Sequence, residues 1–261
     1  MNQIRQEERK LMVDGMLYDE RQVVEMFDPG RTSKKDLDPR QRAAVELVGR
    51  VSPKGRVLDV GCYVGTFVAA LVAAYPKVDP VGVDSYGDNI RIAKLVHPEL
   101  GDRFEDQSVY DLSFASESFD CVTFLEVIEH LDRPVDSIRE LNRVLLTGGH
   151  LILSTPNASS LPNLFGSVAR GYTNLVASAL KRPHRLGVRV YFDNVDWNRH
   201  LIEFLPSSLN TLLALNGFDL VEHRFLPSRG LSWPVQFLVP GLSHEQIFLA
   251  RKVRAAGTEI I

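Results

Sequence analysis

Glu126, Glu129 and His130 stand at i, i+3 and i+4, a spacing that gathers two carboxylates and an imidazole on one face if the segment is helical. Such a trio can take a proton from a reacting group or contribute to a metal site. The alternative is structural: the carboxylates bond backbone and the imidazole caps a turn. A second group lies earlier. Asp59-Val60-Gly61-Cys62-Tyr63-Val64-Gly65 sets an acid before two glycines, and glycine lets a backbone turn sharply and approach a ligand where a β-carbon would collide. Asp84 closes Val81-Gly82-Val83-Asp84. A carboxylate at the C-terminal end of a second parallel strand can take both ribose hydroxyls of a nucleoside. It can also cap the helix that follows, since Asp is a favoured N-cap.

The elements that must position these groups are legible in the apolar pattern. Val57-Leu58-Asp59-Val60 reads as a buried strand, and Phe67 to Val72 as the helix after the glycine turn. A short strand ends at Asp84, a helix follows over Gly87 to Val96, and a third strand lies near Arg103 to Gln107. Phe119 to Leu125 is a fourth strand. Pro134 then opens a helix with Val135, Ile138, Leu141 and Leu145 on its apolar side, stopped at Thr147-Gly148-Gly149. His150 to Ser154 is a fifth strand, Pro206 opens another helix, and Phe218 to Phe225 pairs antiparallel with Gln246 to Ala250. The expected architecture is α/β: a Rossmann-like, seven-stranded, mostly parallel sheet with an antiparallel last strand and helices on both faces. The expected divisions are an N-terminal helical cap over 1–50, a core over 51–157, an insertion over 158–205 and the C-terminal part of the same domain over 206–253.

The 261 residues, 44% hydrophobic and 24% charged, suit one α/β domain with additions. A net charge of −3 gives no electrostatic reason to expect nucleic acid or a membrane surface as partner. The basic stretch Lys181 to Arg189 is short enough to be a solvated face. Cys62 and Cys121 have no metal-like spacing and suit buried positions in a reducing compartment. No apolar run approaches a membrane span, and the polar first ten residues do not read as a signal peptide. The cytoplasm is the expected location.

The residues around the first turn resemble motif I of the class I S-adenosylmethionine-dependent methyltransferases, acid-x-Gly-x-Gly-x-Gly, with Tyr63 at the middle glycine. A dinucleotide Gly-x-Gly-x-x-Gly does not fit this register. Further on, Ser108-Val109-Tyr110-Asp111-Leu112-Ser113-Phe114 with Ser118-Phe119-Asp120 is similar to the same family's Asp-x-x-x-Leu-Pro-Phe…Ser-Phe-Asp segment. Glu126-Val127-Ile128-Glu129-His130, Arg143-Val144-Leu145…Gly148-Gly149 and Ser154-Thr155-Pro156-Asn157 resemble the ubiquinone-type and related small-molecule methyltransferases.

That resemblance, which covers residues 40 to 252, implies S-adenosylmethionine (SAM) as cofactor. Asp59, Gly61 and Gly65 would lie around its amino-acid end, Asp84 on the ribose, and Ser108 with Val109 on the adenine; Cys62, Tyr63 and Glu126 are further cofactor-binding candidates, Tyr63 beside the sulfonium or the carboxylate. Ser108 stands where the family has an acid, a weaker acceptor for the adenine amine. His200 is placed like the second histidine of metal-dependent relatives. Glu126, Glu129, His130 and His200 would then suit Mg²⁺ or Mn²⁺, which lowers the pKa of a bound hydroxyl; without a metal, His130 or His200 is a general base. The implied reaction is methylation of a small-molecule hydroxyl, with N-methylation as an option. The alternatives are a nicotinamide-dependent oxidoreductase, a non-catalytic SAM-binding partner subunit and an RNA methyltransferase. Nothing here sets the oligomeric state.

Overall fold

The computed structural model describes residues 10–13, 16–27, 37–160, 201–226 and 239–257. Its centre is β3 (Arg56–Val60), flanked in parallel by β4 (Asp79–Asp84) and β6 (Phe119–Leu125). β5 (Phe104–Asp106) lies outside β4, and β7 (Leu145–Pro156) outside β6, both parallel. β9 (Glu245–Lys252) pairs antiparallel with β7 and β8 (Phe218–Leu226) antiparallel with β9. The seven strands run β5-β4-β3-β6-β7-β9-β8. This is the architecture expected from the sequence.

The strands read as almost unbroken apolar runs because both faces of the sheet are covered. Val57, Cys121, Ile152, Ile247 and Leu249 face α2 (Pro39–Val51) and α3 (Thr66–Ala74). Their neighbours Leu58, Val122, Leu151, Phe248 and Ala250 face α5 (Pro134–Val144) and α6 (Pro206–Leu215). α4 (Gly87–Val96) joins the first layer, packing Ile90 and Ala93 on Val68 and Ala69 of α3.

Two expectations fail locally. The N-terminal part is not wholly helical: β1 (Lys10–Val13) and β2 (Met16–Asp19) form a hairpin before α1 (Glu20–Met26). Leu11 and Val13 are buried while Met12 is half exposed, the period of two that a strand requires. The helix α5 does not run on to Thr147-Gly148-Gly149 but ends at Val144. Leu145 is already extended and pairs with Phe119. Gly148, at φ +88°, lies inside β7, and a β-carbon on Gly149 would meet the Asp120 carbonyl at 2.9 Å. The glycines serve a strand's close approach rather than a helix end.

The divisions at 158–205 and around 226–245 fall largely on residues outside those described, as do Lys181 to Arg189 and His200.

Candidate active site

The turn after β3 is held by its own backbone. Gly61 and Cys62 N–H groups both donate to the Val83 carbonyl, at 2.8 and 3.0 Å, and Gly65 N–H donates to the Cys62 carbonyl at 2.9 Å. Gly61 and Gly65 adopt φ of +79° and +80°. A β-carbon on Gly61 would collide with the Val127 side chain, and one on Gly65 with the Phe104 ring. These glycines are therefore required by packing as well as by any ligand. Gly65 is also the N-cap of α3 with no side-chain cap, so the positive end of that helix opens toward the loop.

Tyr63 takes the position of the absent glycine and keeps glycine's backbone, φ +50°. Its N–H donates to Asp84 Oδ2 at 3.0 Å, and its ring meets Phe27 edge-on at 5.9 Å. The Cys62 side chain points into the core with Val68, Ile90 and Phe104, and burial pushes its thiol pKa well up. Only its backbone is left to meet a ligand in the loop.

Asp84 does not cap α4, whose N-cap is Tyr86. Its carboxylate instead accepts from Tyr63 N–H, from Tyr86 N–H at 2.9 Å and from Asn89 Nδ2 at 3.1 Å. Burial raises its pKa, opposed by these bonds. Three donors leave lone pairs on the two oxygens for a further partner. Asp59 is buried deeper and accepts from Thr123 Oγ1 at 2.7 Å. Burial raises it to about 7 against the Thr123 bond, with the neighbouring Asp84 charge adding to the rise.

The loop after β5 is pinned from two sides. Ser108 Oγ accepts from Tyr110 N–H at 3.3 Å, and Val109 is buried in the core. The Tyr110 hydroxyl donates to Asp132 at 2.6 Å, and the Arg133 guanidinium lies over the Tyr110 ring. This latch between two loops was not evident in the sequence, because its members lie far apart in the chain.

Across the crevice, Glu126 follows β6 with φ +57°, and Ile128–His130 is a single 3-10 turn. The single helical face expected for Glu126, Glu129 and His130 therefore does not form. The two carboxylates splay onto consecutive residues of β7: Ser154 Oγ donates to Glu126 Oε1 and Thr155 Oγ1 to Glu129 Oε2, both at 2.9 Å. Glu129 is fully buried, and its Oε1 has no hydrogen-bond partner. Burial, with the Glu126 charge next in weight, raises it to about 8. His130 is partly exposed, its Nε2 3.9 Å from Glu129 Oε1. The Leu201 and Ile202 N–H groups donate to the Glu129 carbonyl at 2.7 and 3.1 Å, which docks the returning chain here; His200 itself is outside the described residues.

Sequence reasoning missed Arg40. Its guanidinium lies 2.8 Å from Glu126 Oε2, 2.9 Å from Asp38 Oδ2 and 3.7 Å from Glu245 Oε2. Burial works against that charge, but the bond to Asp38 and the carboxylates around it outweigh burial and raise the Arg40 pKa. One signal was available: a cation in the first turn of α2 opposes the helix dipole, so another partner was to be expected.

These atoms bear directly on the metal expected from the sequence. Both Glu126 oxygens are engaged, by Ser154 and Arg40. Glu129 is bound through one oxygen by Thr155 Oγ1, and burial raises its pKa, which disfavours the charged form that a carboxylate ligand requires. Among the described residues no group of three His, Cys, Asp or Glu is arranged to hold a metal ion. Glu126, Glu129 and His130 do not fit a divalent ion as they stand.

Comparison with known proteins gives a consistent picture. A family model described as "Methyltransferase domain" matches residues 36–223. A ubiquinone biosynthesis O-methyltransferase of Cereibacter sphaeroides is 28% identical over 181 residues, 68% of this chain and 66% of the relative, a little under two thirds of the relative's length. Among solved structures, the cyclase SpnF superposes with a TM-score of 0.56 at 19% identity, covering 80% of each chain. A Burkholderia thailandensis 1,6-didemethyltoxoflavin-N1-methyltransferase, with 1,6-didemethyltoxoflavin and S-adenosylhomocysteine bound, superposes at 0.55 with 16% identity, covering 82% of this chain and 79% of that one. Likenesses at these identities concern the fold. No helix among the described residues is long and apolar enough to cross a membrane.

Proposed function

The chain belongs to the class I S-adenosylmethionine-dependent methyltransferases, and we propose that it moves the methyl group of SAM to a hydroxyl of a small molecule. The observation that carries this reading is the glycine loop locked to Asp84 at the C-terminal ends of β3 and β4, next to the parallel strand β6, whose own C-terminal end leads into Glu126, Glu129 and His130. Ligands of open α/β sheets bind at those strand ends. The name of the Cereibacter relative supports a hydroxyl as acceptor.

When bound, SAM supplies a methyl group already activated on a sulfonium. The chain's own task is to align donor and acceptor, exclude water and accept a proton. The backbone of Gly61, Cys62, Tyr63 and Gly65 would cradle the amino-acid end, beside Asp59 and Glu126. The free lone pairs of Asp84 would take the ribose hydroxyls, and Ser108 with the Val109 amide the adenine. An acceptor oxygen lined up with that methyl group would displace the sulfide of the donor, and the chain's part would be to hold the two in line. The hydroxyl proton leaves to His130, the partly exposed imidazole of the crevice, or to His200. Glu126, with one oxygen on Ser154 and the other on Arg40, is not free to ligate Mg²⁺ or Mn²⁺.

The fold does not decide the reaction by itself. The deciding experiment incubates the protein with metabolite extracts and isotopically labelled SAM, followed by mass spectrometry. A product carrying one labelled methyl, formed only with active protein, supports the reading. Folded protein that binds SAM and labels nothing across such extracts favours a non-catalytic binding subunit.

A further inference from the structure

The positive charge at the acceptor edge of the crevice is a side chain. Arg40 sits in the first turn of α2, a helix fixed by Asp38 as N-cap with a reciprocal bond from Gln41. Ala44, Val45, Leu47 and Val48 pack that helix onto the sheet, so the guanidinium is presented from a rigid element. Its three carboxylate partners come from separate places in the chain: Asp38 from the cap, Glu126 from the end of β6 and Glu245 from the start of β9, opposite Pro156. The planar fork of an arginine suits such a set, because each N–H points at a different oxygen. Arg40, Glu126 and Glu245 are each about three-quarters or more shielded from solvent, so their mutual attraction is screened less than that of a surface pair.

We propose that Arg40 is the resident cation of this site and holds Glu126 in its left-handed position against β7, so that Glu126 is not free to ligate a divalent ion. A divalent ion and the guanidinium would compete for Glu126 Oε2, and like charges a few ångströms apart repel. Arg40 acts through Glu126 and is a positioning residue. The inference rests on the proposed function only in calling this edge the acceptor side; the competition between cations does not depend on it.

The test needs no acceptor. Mn²⁺ is titrated into the wild type, Arg40→Met, Arg40→Lys and the double variant Arg40→Met/Glu126→Gln, with free Mn²⁺ read by electron paramagnetic resonance. Arg40→Met should bind Mn²⁺ at least about tenfold more tightly than the wild type, because a buried positive charge has gone. The double variant should lose that gain, and Arg40→Lys, which keeps a charge, should behave as the wild type. If Arg40→Met does not fold, Glu126→Gln in the wild-type background decides. A wild type that binds one Mn²⁺ and loses it with Glu126→Gln would overturn the proposal; absence of such an ion in both, with Arg40→Lys unchanged, sustains it. Arg40→Met that folds and binds Mn²⁺ no better than the wild type also overturns it. Calorimetry of S-adenosylhomocysteine on the wild type reports separately on the methyltransferase reading.

Discussion

The backbone N–H of Tyr63 donates to Asp84 Oδ2 at 3.0 Å, so the glycine loop after β3 is fastened to the acid at the end of β4. The fastening requires Tyr63 to adopt φ +50°, a region that costs a residue with a β-carbon about 1–2 kcal/mol. The Tyr63 ring offsets part of this by packing edge-on against Phe27, a contact worth about 0.5–1.5 kcal/mol beyond its buried area. The glycine loop and the N-terminal helix α1 thereby share one side chain.

That balance sets the order of two variants. Tyr63→Ala loses the ring and keeps the strain, while Tyr63→Gly loses the ring and relieves the strain. Urea unfolding should therefore find Tyr63→Gly the more stable of the two by about 1 kcal/mol, even though glycine is usually the destabilising choice. An alanine variant as stable as the wild type would show that the ring contributes nothing, and a glycine variant no more stable than the alanine one would show that the strain does not matter.

Gly61 gives a separate test. Its missing β-carbon faces Val127, from the segment after β6. Gly61→Ala should lower the stability of the cofactor-free protein by more than about 1 kcal/mol, from the positive φ together with the clash. Pairing it with Val127→Ala should recover only the part due to the clash. Unchanged stability in the cofactor-free protein would mean that the glycine serves the ligand alone.

Two buried carboxyls make stability depend on pH. Asp59 is raised from the ordinary 3.8 to about 7, and Glu129 from 4.5 to about 8, in both cases chiefly by burial. The folded chain thus holds protons that the unfolded chain has already released, and unfolding releases them. Stability should fall as pH rises from about 4 to about 8, and the loss from these two groups should be complete above that window. Asp59→Asn keeps an acceptor for Thr123 and Glu129→Gln one for Thr155, so each should flatten the slope in its own part of the window. Denaturant midpoints measured across pH would show it. Slopes identical to the wild type in both variants would contradict the burial of these charges.

The legible parts of the sequence were those set by local rules. Val57 to Gly65 reads correctly because a β-branched run, an acid and two glycines fix a strand and a turn within nine consecutive residues. Pro39 and Asn216-Gly217 bound their helices for the same reason. Gly148-Gly149 misled because glycine pairs mark helix ends, and only the pairing of Leu145 with Phe119 shows a strand already begun. Arg40 signalled in the sequence only that it needed a partner, because Glu126 and Glu245 are brought to it only by the folded sheet. The helical spacing of Glu126, Glu129 and His130 was real in the sequence, and the left-handed turn at Glu126 cancels it. No propensity rule reports that turn, since tertiary packing imposes it.

The central claim is that this crevice holds SAM with Asp84 on the ribose. Titration calorimetry with S-adenosylhomocysteine tests it most directly, on the wild type and on Asp84→Ala shown to be folded. The account expects one site per chain in the wild type and a loss of about 1.5–3 kcal/mol in Asp84→Ala, the usual scale for charge-assisted hydrogen bonds. Asn89→Ala removes only one of the three bonds that Asp84 accepts within the chain, and should change affinity by less than about 1 kcal/mol. Folded wild type that gives no heat with S-adenosylhomocysteine, or an Asp84→Ala affinity equal to the wild type, would contradict the account.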